Sequence, residues 1–164
     1  MKYEIRAISK SEIPVLRDML YEAIFVPPGA QPPPREVLDA PELQVYIDHF
    51  GGKKDDHCLV AVVDENIVGA VWTRIMHDYG HLDDETPSFA IALLPPWRGR
   101  GMGTELMRRM LALLRQKGYA RASLAVQKKN YAVRMYEKVG FKTVAENDQE
   151  YIMLCDLART CDGQ

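Results

Sequence analysis

From Leu93 to Thr104 the chain reads Leu-Leu-Pro-Pro-Trp-Arg-Gly-Arg-Gly-Met-Gly-Thr, and this turn constrains the fold more than any other stretch. The run before it, Ser88–Leu94, is almost wholly apolar. Such a run suits a central strand covered on both faces. Pro95 and Pro96 stop it, and a helix begins near Gly101 with the stripe Leu106, Met110, Leu113 and Leu114. A buried strand therefore feeds a helix through three closely spaced glycines. The first turn of a helix leaves its N–H groups without intrahelical partners, with the positive end of the macrodipole behind them. Glycines let a phosphate approach such amides with no Cβ in the way. With Arg98 and Arg100 beside them, they make an anion site. A glycine-rich helix start with no ligand is the bland alternative, but each helical glycine costs about 1 kcal/mol relative to alanine.

The type of anion is narrowed by exclusion. A P-loop needs Gly-x4-Gly-Lys-Ser/Thr, which is absent. A dinucleotide fingerprint needs a glycine where Thr104 stands and an acid some 20 residues on, where Ser123-Leu124-Ala125 has none. Charge supports an anionic partner. The net charge is -2, but Arg98–Lys142 holds twelve Lys/Arg against Glu105 and Glu137, and the rest of the chain is acidic.

At 164 residues the chain is sized for one domain, expected over 1–157 with a fraying tail at 158–164. No apolar run approaches the roughly 20 residues of a membrane span. Lys2–Ile8 alternates as a strand rather than a signal peptide, so a cytoplasmic protein without membrane or nucleic-acid partners is expected. Cys58, Cys155 and Cys161 are too few and scattered for a disulfide framework. Cys58 and Cys155 are expected as small buried residues, and no metal site is expected.

Along the chain, Ser9 or Ser11 caps a first helix with the stripe Ile13, Leu16, Leu20 and Ile24. Phe25–Pro34 carries five prolines and is read as a stiff loop. Arg35–Phe50 reads as a second helix interrupted near Pro41. Strands follow at His57–Val63, Ile67–Met76, Ser88–Leu94 and Arg121–Val126. A short helix, Asn130–Val139, precedes a last pair of strands at Phe141–Ala145 and Glu150–Leu157. The order predicts an α/β protein with a layered sheet of mixed direction.

Two strings then resemble one family. Pro95-x-x-Arg98-x-x-Gly101-x-Gly103 after an apolar strand is similar to motif A of the GNAT acetyltransferases. Asn130-x-Ala132-x-x-x-Tyr136-Glu137-Lys138-x-Gly140-Phe141 resembles the same family's downstream element. The resemblance implies a mainly antiparallel mixed sheet of about seven strands with four helices on its faces. It implies acetyl-coenzyme A (acetyl-CoA) as cosubstrate and an amine as acceptor, with Pro27–Tyr46 in the part that varies with substrate. The pantetheine arm would pair with the backbone of Ile91 and Leu93. The pyrophosphate would sit on the amides of Arg98, Gly99, Arg100, Gly101, Met102 and Gly103, with Thr104 close by. Asn130 would hold the pantetheine, and the hydroxyl of Tyr136 would face the sulfur, where a phenol can protonate a leaving thiolate. Spacing alone also allows Tyr136 as core filling beside Val133 and Val139.

One departure stands out. Many family members carry a carboxylate base on the fourth strand, where this chain has Phe89 and Ala90. Substitute candidates are Glu85, Asp84, Asp83, His81 and Tyr79, or a water relay, though a solvated loop explains the acids equally well. Trp72 and Tyr46 are candidates for the acceptor pocket or ordinary core aromatics. Three functions remain open: amine acetylation, acyl-CoA binding without catalysis, and nucleic-acid binding through the basic segment. The terminal strands also allow a homodimer.

Overall fold

In the computed structural model, which describes residues 2–158, seven strands form one sheet in the order β1-β2-β3-β4-β5-β7-β6. The strands are β1 (Glu4–Ala7), β2 (His57–Val63), β3 (Asn66–Arg74), β4 (Ser88–Leu93), β5 (Arg121–Gln127), β6 (Lys142–Glu146) and β7 (Glu150–Asp156). The helices are α1 (Val15–Ala23), α2 (Pro41–Gln44), α3 (Met102–Gln116) and α4 (Ala132–Lys138). The expected mixed α/β architecture is therefore present. Every neighbouring pair is antiparallel except β4 and β5.

Local chemistry explains several boundaries. β2 and β3 join through Asp64 and Glu65, both at positive φ (48° and 69°). That pair of conformations matches the twist of a two-residue hairpin. Gly118, at φ 90°, closes α3 as expected. Pro14 separates α1 from a single 3₁₀ turn, Lys10–Glu12, where one continuous helix was expected.

The expected helix over Arg35–Phe50 is a correction. Only a 3₁₀ segment, Arg35–Asp39, and the four-residue α2 are helical, and turns follow to Phe50. Ala40 is extended (ψ 140°), as a residue before proline prefers. Beyond α2, side chains of β3 take the carbonyls that a helix would use. Trp72 Nε1 donates to Tyr46 O at 3.0 Å, and Arg74 donates to Val45 O at 3.2 Å and Asp48 O at 2.9 Å.

Each sheet face has its own core. One face buries Leu106, Met107, Met110 and Leu114 of α3, with Phe89, Tyr136 and Phe141. The other buries Leu16, Met19 and Leu20 of α1 against Val60, Ala70, Trp72 and Ala92. Cys58 is free and buried, and burial pushes its thiol up to about 12, which leaves it inert. Cys155 is fully buried, as expected, and is also disulfide-bonded, a bond the sequence did not lead us to expect. The expected fraying tail lies outside the described residues except for Ala158, which is in a turn.

Candidate active site

β4 and β5 touch at a single parallel pair, Ser88 opposite Ser123. Beyond that pair the two strands diverge, and β4 keeps an unpaired edge. The phase of its hydrogen bonds is fixed by Leu94, whose N–H donates to Val68 O at 2.9 Å on the β3 side. Antiparallel residues alternate in direction. Ile91 and Leu93 therefore turn their backbone groups away from β3, into the opening. Ser123 N–H reaches Pro87 O at 3.0 Å on that same side, which agrees.

A cleft of about 610 Å³ fills the opening. Ile91, Leu93, Arg98, Gly99, Gly101, Gly103, Thr104, Asn130 and Tyr136 all line it, as do Tyr131, Ala132 and Met135. Its other wall is Tyr21–Val26 with Pro32 and Pro33. Tyr21 holds the proline loop there, its hydroxyl donating to Pro33 O at 2.5 Å. Two residues expected at the phosphate do not line the cleft. Met102 is fully buried in the α3 core, so only its amide is available. Arg100 donates from Nε to Pro96 O at 3.2 Å, with its guanidinium 5.5 Å above the Trp97 ring.

The turn itself has the geometry of an anion cradle. Gly101 (φ 85°) is the N-cap of α3, and Glu105 N–H closes the first helical bond onto Gly101 O at 3.2 Å. The N–H groups of Met102, Gly103 and Thr104 have no backbone acceptor among the described residues. Arg98 crosses the cleft edge. Its Nε donates to Leu93 O at 3.0 Å, and its terminal nitrogen pairs with Glu22 Oε1 at 3.1 Å. Glu22 is the one carboxylate among the described residues lining the cleft. It stands 76 positions away from Arg98, and no motif in the sequence marks it.

The second string builds the wall facing β4. Asn130 Oδ1 accepts Ala132 N–H at 2.9 Å and so starts α4, leaving the amide NH₂ as a donor. Gly140 (φ 114°) reverses the chain, and Phe141 N–H returns to Tyr136 O at 3.0 Å. The Phe141 ring meets Tyr136 edge-on at 6.3 Å and Phe89 at 5.6 Å. Tyr136 is thus seated by the Gly-Phe pair, and it is both core and cleft lining. Its hydroxyl has no hydrogen-bond partner among the described residues, and burial raises its pKa above the usual phenol value. It is protonated at neutral pH.

None of the candidate bases lines this cleft. Asp83 pairs with Arg121, Asp84 is largely exposed beside His81, and Tyr79 is exposed. Phe89 is in the core and Ala90 is half-buried on the α1 side. Trp72 and Tyr46 also stand apart from the cleft, bonded to each other and, through the Tyr46 hydroxyl, to Asp78 at 3.1 Å. The basic segment does not form one free stripe, since Arg98, Arg109, Arg121 and Lys128 each pair with a carboxylate.

A model of the acetyltransferase (GNAT) family matches residues 19–141 of this sequence. The chain belongs to the GNAT family. It is 39% identical over 61 residues to [ribosomal protein bS18]-alanine N-acetyltransferase of Haemophilus influenzae, a match covering 37% of this chain and 42% of that protein. It is 35% identical over 99 residues to mycothiol acetyltransferase of Corynebacterium glutamicum strain R, covering 60% of this chain and 32% of that one. The matches thus span less than half the length of these relatives. The GNAT fold is shared with PaiA N-acetyltransferase of Thermoplasma acidophilum, solved with coenzyme A. Its TM-score is 0.70 at 19% identity over 95% of this chain and 99% of that one. The ribosomal-protein-S18-alanine N-acetyltransferase of Escherichia coli has a TM-score of 0.66 at 15% identity, over 95% and 94% of the two chains.

Proposed function

We propose that this chain transfers the acetyl group of acetyl-CoA to a primary amine, by direct attack with both substrates bound. The observation that carries the proposal is the continuity of one cleft. It joins the unpaired first-turn amides of α3, the open edge of β4 and the Tyr136 hydroxyl. A pyrophosphate on the α3 amides leaves the pantetheine arm to extend β4 at Ile91 and Leu93, with the Asn130 amide donating to it. The thioester then lies towards Tyr136. The amine nitrogen attacks the carbonyl carbon, the C–S bond breaks, and the sulfur takes the Tyr136 proton. The nitrogen loses one proton through water to the phenolate, so the enzyme ends as it began. Holding amine and thioester together supplies much of the rate.

A panel of primary amines, assayed for thiol release against coenzyme hydrolysis alone, tests the proposal. Amine-dependent release is expected. Tight acetyl-CoA binding with no acceptor at all favours the second reading, a non-catalytic acyl-CoA-binding module. That reading draws on the apolar Phe89 and Ala90 and on Glu22 being engaged by Arg98.

A further inference from the structure

The loop between β3 and β4 carries a cluster that the acetyl-transfer site does not use. A ring nitrogen of His77, a ring nitrogen of His81 and a carboxylate oxygen of Asp84 all lie within 4.8 Å of one another. None of the three lines the cleft. We propose that His77, His81 and Asp84 bind one divalent transition-metal ion, of which Zn²⁺ best suits two imidazoles and a carboxylate.

The orientation of His81 is the first support. Its Nδ1 lies 2.8 Å from Met76 O, and a carbonyl can only accept, so Nδ1 carries the proton. His81 Nε2, the other ring nitrogen, faces Asp84 Oδ1 at 3.4 Å. A backbone carbonyl bonded to the far nitrogen is also the usual means of orienting a metal-ligating histidine. Distance is the second support. Two ligands about 2.0–2.1 Å from a tetrahedral zinc stand about 3.3 Å apart, close to the 3.4 Å between His81 and Asp84. The His77 ring lies 4.4 Å from that of His81, centroid to centroid, and its donor nitrogen lies within 4.8 Å of the other two donors. Water would complete the coordination.

The loop is anchored where β4 meets β5. Ser88 Oγ donates to Asp78 Oδ1 at 3.0 Å, and Ser123 Oγ donates to Gly80 O at 2.8 Å. An ion at His77, His81 and Asp84 therefore cross-links the loop whose next residues fix the only β4–β5 pair. Its role is structural and does not depend on the acetyl-transfer proposal.

The test is a Zn²⁺ titration of the full chain without a histidine tag, by competition with a chromophoric chelator, with Co²⁺ absorption as a second reading. One ion per chain is expected, with a raised melting temperature and a tetrahedral Co²⁺ spectrum. His77→Ala and His81→Ala should each weaken binding at least about tenfold, whereas His49→Ala should leave it unchanged. No stoichiometric binding, or binding that survives the His77→Ala/His81→Ala double variant, overturns the proposal. Far-ultraviolet circular dichroism shows that each variant is folded.

Discussion

Gly99, Gly101 and Gly103 stand in one turn under different constraints. Gly101 is left-handed at φ 85° with nothing within 4 Å of where a Cβ would project, so its space belongs to the cleft. Gly103 is helical, and a Cβ there would lie 3.3 Å from Met135 Sδ, so its smallness lets α3 approach α4. At Tyr136 the question is proton transfer. Tyr136→Phe removes the donor and keeps the ring on Phe141, so turnover should fall about a hundredfold or more while acetyl-CoA affinity barely changes. An unaltered rate would remove Tyr136 from the chemistry. Glu12 carries a pH dependence. Its carboxylate is bonded first by the Arg6 guanidinium and then by Ser9 N–H, which lowers its pKa from 4.5 to about 2. A lowered folded-state pKa gives stability that is present above pH 4.5 and is lost as pH falls towards 2. Glu12→Gln should flatten that part of the acid-unfolding curve; an identical curve would contradict the assignment.

Between elements, the decisive arrangement is the divergence of β4 from β5 after one pair, because it leaves a strand edge free for a ligand. Arg98 occupies part of that edge by bonding Leu93 O, and Glu22 of α1 holds it there. On the proposed placement of the pyrophosphate, phosphate and Glu22 compete for the Arg98 guanidinium, so Glu22→Gln should tighten acetyl-CoA binding several-fold in a calorimetric titration; weaker binding would count against the competition. Across the sheet, Arg74 of β3 pins the turns after α2. It meets Asp56 at 3.1 Å through both Nε and the terminal nitrogen, in a pair with side-chain exposures of 4% and 0%. Asp56→Ala strands a buried guanidinium and should cost about 3–5 kcal/mol in urea unfolding. A loss within about 0.5 kcal/mol, the size of a surface substitution, would show the pair is dispensable. This pair also explains why the segment before it departs from the helix that its spacing predicts. Leu43, Tyr46, Ile47 and Phe50 have helical spacing, but Arg74 and Trp72 reach their carbonyl neighbours from 26 or more positions away, and spacing cannot report such partners.

At the scale of the whole molecule, the two strings Pro95–Gly103 and Asn130–Phe141 were legible because each is a local device: a helix N-terminus and a helix closed by Gly140. The structure folds both onto one cleft, where Gly99, Gly101, Gly103 and Asn130 are lining residues. What the sequence left unread comes from distant segments. The Glu22–Arg98 pair spans 76 positions, and the Tyr21–Pro33 contact and the His77–His81–Asp84 cluster depend on loop conformations. The acids Asp83, Asp84 and Glu85 are candidate bases by residue type, yet the position of their loop puts them outside the cleft. The central claim is that the α3 N-terminus and the β4 edge form one acetyl-CoA site. Calorimetric titration of acetyl-CoA into the native chain and into Gly101→Glu tests it most directly. The account predicts one-to-one binding to the native chain and no measurable heat for the folded variant, whose carboxylate would fill the cleft and repel phosphate. Equal affinity in the two would contradict it.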